Sequence, residues 1–130
     1  MLEAGLKGYE KILVTEDKTA KKVGSGSLLV FATPMMVALM EKTSLKSIEE
    51  FLEDGETTVG TLVNVSHVSA TPVGMEVTCE SVLTEVDGRR LVFSVKAYDE
   101  AGLVGEGTHE RFIVKSEKFQ GKADSKKQGK

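Results

Sequence analysis

The sequence predicts an α+β domain, an antiparallel sheet with one long helix packed on it. The stretch after Phe31 has helical punctuation, with a Thr-Pro start at residue 33 and a glycine stop at residue 55, around an apolar 3.6-residue period. The chain beyond it alternates apolar and polar residues with the two-residue period of strands. The strand-like stretches are joined by short turns containing Gly, Pro and Asp, which favour hairpins over crossovers.

In chain order, "YEKILVTE" (Tyr9 to Glu16) reads as the first strand. "DKTAKKVGSGS" reads as a flexible loop, because its Gly-Ser-Gly lacks the GK[ST] ending of a phosphate loop and joins no visible βαβ unit. The helix is expected from about Pro34 to about Glu53, with Thr33 as N-cap and Pro34 at the first helical position. "TTVGTLVNVSHVS" then places Val59, Thr61, Val63, Val65 and His67 on one strand face, with Gly60, Leu62, Asn64, Ser66 and Val68 on the other. "TPVG" turns the chain into "MEVTCESVLTEV". Asp87-Gly88 signals a tight primed hairpin, since both residues tolerate positive φ. "RRLVFSVKAYD" sets Leu91, Phe93, Val95 and Ala97 against Val92, Ser94, Lys96 and Tyr98, and "EAG" leads into "LVGEGTHERFIV". No internal repeat is visible.

With 130 residues, 40% hydrophobic and 28% charged, the chain fits a single globular domain over 1–117, followed by a flexible basic tail over 118–130. No run of 18 apolar residues is available for a membrane span, and "MLEAGLKGYEK" lacks the pattern of a secretory signal. A cytoplasmic protein is expected. The single cysteine, Cys79, lies in an alternating stretch and reads as a core residue, with no second thiol for a redox pair or zinc cluster. Asn64-Val65-Ser66 fits a glycosylation acceptor and, without a signal, reads as a chance match inside a strand. The net charge of -3 gives no reason to expect nucleic acid. From Lys115 to Lys130, however, six lysines face only Glu117 and Asp124, a local +4 that leaves -7 for the rest. Such a tail is suited to solvent, or to holding phosphates.

Glu41 stands out on the helix. At about 100° per residue from Met36, the charges Lys42, Lys46, Glu49, Glu50 and Glu53 fall between roughly 220° and 320°, while Glu41 falls near 140°. It is either a boundary residue whose head reaches water or a functional carboxylate. His67 continues a face of valines and is either a hydrogen-bonded structural residue or an acid–base group. If the helix packs on that face, Glu41 and His67 share one apolar interface, an arrangement used for proton transfer. Thr33 is a candidate N-cap, yet a helix N-terminus also suits a polarised carbonyl. Thr33 and Glu41 are eight residues apart, about 12 Å along a helix. If both act on one small group, either the substrate spans the gap or a second subunit supplies a copy of one of them. "GEGTHERF" sets His109 and Arg111 on one strand face beside Gly105 and Gly107, which suits close backbone approach, a ligand groove or a bulge.

"FAT" followed by "MVALME", then "VGTLVNVSHVSATPVGMEVT", "VDGRRLVFSV" and "GEGTHERF" with a later "EKF", resemble the hot-dog-fold acyl-CoA thioesterases, most of all the fluoroacetyl-CoA thioesterase branch. The resemblance spans roughly Phe31 to Phe119 with motif spacings intact. It implies a sheet wrapped around one long central helix, and hydrolysis of a short or medium acyl-CoA to the free acid and CoA with no metal or bound cofactor. It places the family's catalytic residues on Thr33, Glu41 and His67, with Glu41 as nucleophile or as base for water. Gly60 takes the place of its backbone-contributing glycine and Arg111 that of its strand arginine, both substrate-binding. It also implies a homodimer with interfacial sites, with no nucleic acid or membrane partner. Ahead of the helix the chain departs from the fluoroacetyl-selective member: "KTAKKVGSGSLLV" is short and has no aromatic residue, which points to a different acyl group. The alternatives on this fold are a non-catalytic acyl-CoA binding module and a hydratase or dehydratase. Thiol release separates both from a hydrolase.

Overall fold

The computed structural model describes residues 1–128 and contains β1 (Lys7–Leu13), α1 (Ala20–Val23), α2 (Thr33–Ile48), β2 (Glu56–His67), β3 (Glu76–Asp87), β4 (Arg90–Asp99), β5 (Gly102–Lys115) and α3 (Ser116–Asp124). The strands form one antiparallel sheet in the order β1-β3-β4-β5-β2. Helix α2 packs across it with Met36, Leu39, Met40, Thr43, Ser44 and Ile48 buried. The Thr43 and Ser44 hydroxyls donate to the Leu39 and Met40 carbonyls at 2.7 and 2.9 Å, so the stripe carries polar atoms without orphaning them. Against it stand Val77, Cys79 and Leu83 of β3 and Leu91, Phe93, Val95 and Ala97 of β4. Burial pushes the Cys79 thiol up to about 11, which keeps it a protonated core group.

Local chemistry moves several boundaries. Helix α2 ends at Ile48 and tightens into a 3₁₀ turn over Glu49–Phe51, short of the expected Glu53. Its N-cap is Ala32, not Thr33; Thr33 has entered the helix, so its hydroxyl is not consumed in capping. The loop expected over "DKTAKKVGSGS" instead holds a 3₁₀ turn and α1. Thr19 caps α1 by accepting from the Lys22 N–H, and Gly24 closes it at φ +95°. The first strand begins and ends earlier than Tyr9 to Glu16. At the β3–β4 hairpin Asp87 pairs with Arg90, so the turn residues are Gly88 and Arg89, and Gly88 alone takes positive φ, +62°. Helix α3 occupies Ser116–Asp124 with no buried residue. Gly129 and Lys130, the end of the tail expected to be flexible, lie outside the described residues. No helix among the described residues is long and apolar enough to cross a membrane.

The largest departure lies in β2. Gly60 pairs with Arg111 and Leu62 with Glu110, leaving Thr61 as an extra residue. This bulge shifts the phase of the strand: Thr58 and Gly60 join Val63, Val65 and His67 on one face, and Val59 moves to the other. A second bulge leaves Val104 unpaired between the partners of Ala97 and Tyr98, next to Gly105. Gly105 and Gly107 of β5 also allow close approach. A Cβ on Gly105 would lie 2.6 Å from Met36 Sδ and from the Ser66 carbonyl oxygen, and one on Gly107 would overlap the Asn64 carbonyl oxygen. Because the Gly107 obstacle is strand backbone, Gly107→Ala is expected to destabilise the fold by about 2 kcal/mol or more, read from the urea midpoint.

Candidate active site

Two side-chain clusters lie along α2. At its N-terminus, Thr33 Oγ1 and His67 Nδ1 are 2.7 Å apart. With Nδ1 accepting from the hydroxyl, Nε2 carries the proton; with Nδ1 donating, Nε2 is a free base. Nε2 is buried and has no hydrogen-bond partner, so in either tautomer it is available to a reacting group. Phe31 meets the imidazole edge-on, with centroids 6.4 Å apart. Burial holds the imidazole below the ordinary histidine value, and the Ser69 backbone offsets part of that effect. A pocket of about 280 Å³ opens against the pair, with Ala20, Ser25, Phe31 and Val68 among its walls.

Two turns further along α2, Glu41 Oε2 lies 3.6 Å from Arg111 Nη1. The Glu41 side chain is 40% exposed and that of Arg111 only 7%, so the carboxylate reaches the surface above a buried cation. Arg111 is held on three sides. Its Nε donates to Thr58 Oγ1 at 2.7 Å, its Nη2 to the Thr58 carbonyl at 2.8 Å, and its Nη1 to His109 Nε2 at 3.2 Å. That last bond fixes a tautomer. His109 Nδ1 lies 2.8 Å from the Leu62 carbonyl, which only accepts, so Nδ1 carries the proton and Nε2 accepts from the guanidinium. Burial, with the Arg111 charge assisting, holds His109 below the ordinary histidine value. Burial also pushes Arg111 down, against the pull of Glu41. Gly60 completes the cluster, since a Cβ there would come 2.5 Å from Glu41 Oε2.

The structure therefore brings Thr33 to His67, and Glu41 to Arg111 and Gly60. It does not bring Glu41 to His67: no hydrogen bond or ion pair joins the two clusters among the described residues. Among the same residues, no group of three or more His, Cys, Asp or Glu is placed to hold a metal ion.

The chain and its fold are similar to known proteins. The model of the family described as fluoroacetyl-CoA-specific thioesterase matches residues 14–117. The chain belongs to this thioesterase family. A fluoroacetyl-CoA thioesterase from Streptantibioticus cattleyicolor is 44% identical over 97 residues, 75% of this chain and 70% of the relative. A solved fluoroacetyl-CoA thioesterase structure superposes with a TM-score of 0.92 at 36% identity, covering 97% of this chain and 98% of that one. A thioesterase superfamily member from Thermus thermophilus gives 0.90 at 30% identity, covering 98% and 95%. The sheet-and-helix architecture is the hot-dog fold, and membership makes the chain an acyl-CoA thioesterase, a thioester hydrolase.

In this thioesterase, Thr58 is the residue that reading the sequence overlooked. It is buried and grips Arg111 through both its hydroxyl and its carbonyl. The signal was Gly60, because a glycine inside a strand marks a bulge, and that bulge turns Thr58 inward. Gly60→Ala is expected to leave the thioesterase folded, since the obstructing atom is the end of a half-exposed side chain. It is expected to lower kcat roughly a hundredfold by displacing the Glu41 carboxylate. Steady-state turnover alongside a thermal melt checks both parts.

Proposed function

We propose that this thioesterase hydrolyses a short or medium acyl-CoA at a site shared by two subunits of a cytoplasmic homodimer, with Thr33, Glu41 and His67 catalytic and Gly60 and Arg111 binding substrate. The observation that carries the reading is the separation of the two clusters. Thr33 and His67 are hydrogen-bonded to each other, Glu41 is ion-paired with Arg111, and Thr33 and Glu41 stand eight positions apart on α2, about 12 Å. One thioester carbonyl cannot touch both ends within one chain, but β2 offers a way to bring them together. It is an edge strand whose middle, including Leu62 and Val63, is exposed. Two-fold antiparallel pairing of β2 about that point sets Glu41 and Gly60 of one protomer beside Thr33 and His67 of its partner.

There the Thr33 hydroxyl and the N-terminal N–H groups of α2 polarise the thioester carbonyl. Glu41, anchored by Arg111, takes a proton from water as its oxygen adds to that carbonyl. The tetrahedral intermediate collapses with cleavage of the C–S bond. His67 takes that proton from Glu41 and delivers it to the departing sulfur, leaving the acid and CoA with both side chains returned to their starting states. No aromatic side chain lies on "KTAKKVGSGSLLV", and Leu28 and Leu29 are exposed there. This supports an acyl group other than fluoroacetyl. A thiol-release assay across acyl-CoA chain lengths tests the function, with turnover expected for short or medium acyl groups. Calorimetric binding without thiol release would point to a binding module. Hydration of an enoyl-CoA with the thioester intact would point to a hydratase.

A further inference from the structure

Beyond Arg111, β5 runs into a second groove, of about 350 Å³, lined by Arg89, Ile113, Lys115, Lys118, Phe119 and Lys122 among others. Lys115, the N-cap of α3, and Lys118 and Lys122 on the helix recur at spacings of three and four, which puts them on one face. Phe119 stands among them, 47% exposed, over the buried Ile113. Arg89 is already engaged: its Nη1 donates to the Ile113 carbonyl at 3.2 Å and lies 3.7 Å from Glu56. The lysines are not. Among the described residues no carboxylate lies within ion-pair distance of Lys115, Lys118 or Lys122. The acidic residues nearby, Glu53, Asp54, Glu56 and Glu117, line an adjoining groove that shares Lys115 and Lys118 with this one. A chain of net charge -3 thus sorts cations and an exposed aromatic ring into one concave surface.

We infer that this groove holds the nucleotide end of the CoA substrate, with Lys115, Lys118 and Lys122 on its phosphates and the Phe119 ring against adenine. The inference rests on the acyl-CoA reading above. Ammonium groups are point-charge partners for phosphate, and an aromatic face is a stacking platform for a base. Lys115 lies four residues beyond Arg111 on the same strand, about 13 Å, and the pantetheine arm of CoA is the spacer that separates thioester from phosphates.

The test compares acetyl-CoA with acetyl-pantetheine, which carries the same thioester without phosphates or adenine, on the native protein, on a Lys118→Glu/Lys122→Glu double variant and on Phe119→Ala. For acetyl-CoA both variants are expected to raise KM with kcat unchanged, the double variant roughly tenfold at low salt and less as ionic strength screens the contacts. KM for acetyl-pantetheine is expected to stay within twofold, which also reports intact folding. Native acetyl-CoA turnover with an unmoved KM in the variants, or equal movement for both substrates, would overturn the groove assignment and leave the thioesterase reading standing. Native protein that releases thiol from neither thioester, nor from any other short or medium acyl-CoA, would overturn that reading, and this inference with it.

Discussion

Glu41→Gln is expected to lower kcat for acyl-CoA hydrolysis by roughly a hundredfold to ten-thousandfold, the range for removing a positioned general base. The substitution is nearly isosteric, so the variant is expected to stay folded. Arg111 keeps its two bonds to Thr58 and its bond to His109. What is lost is an ion pair between a carboxylate that is 40% exposed and a guanidinium that is only 7% exposed, so the cost lies above the about 0–1 kcal/mol of an exposed pair and below the about 3–5 kcal/mol of a fully buried one. Steady-state thiol release, with a thermal melt beside it, checks the expectation. Unchanged turnover in a folded variant would remove Glu41 from the mechanism.

His67→Ala is expected to cost kcat roughly a hundredfold or more, and to change the pH profile in a way that a packing defect would not. Burial depresses the His67 pKa, so the ring is neutral at neutral pH and is fit to accept and pass on a proton. In the native protein kcat/KM should therefore hold steady down through the ordinary histidine range and fall only at lower pH. That acid limb should shift or vanish in the variant; a limb that stays in place would assign it to another group. The same depression has a consequence for stability. The folded state keeps both His67 and His109 neutral, so their contribution is present above the ordinary histidine value and is lost as pH falls through the depressed one.

The sequence shows some of these features directly and conceals others. Angular position alone singles out Glu41 as the charge off the polar face of α2, and the side chain is indeed only partly exposed, with its carboxylate on a buried arginine. Hairpin chemistry and two-residue alternation give β3, β4 and β5 with small errors at their ends, because those signals are local. The inward turn of Gly60 and Thr58 is not legible from alternation, since a bulge at Thr61 inverts the phase halfway along β2. Strict period-two reading puts Gly60 on the wrong face, and only the family resemblance pointed to it. Thr33 shows the same limit in a helix: its residue type suits an N-cap, yet the structure gives the cap to Ala32 and turns the Thr33 hydroxyl to His67. The grip of Thr58 and His109 on Arg111 depends on the register between β2 and β5, whose paired residues lie dozens of positions apart in the chain.

Each site is expected to take Glu41 from one chain and Thr33 and His67 from the other. Mixing the two inactive variants, Glu41→Gln and His67→Ala, under conditions that exchange subunits tests it directly. Half of the randomly paired dimers then carry one lesion per chain, with both lesions in one site and the other site intact. The expected result is recovery of roughly a quarter of native turnover at equal mixing. A mixture that exchanges subunits yet stays as inactive as its components would contradict the claim and place all three residues in a site within a single chain.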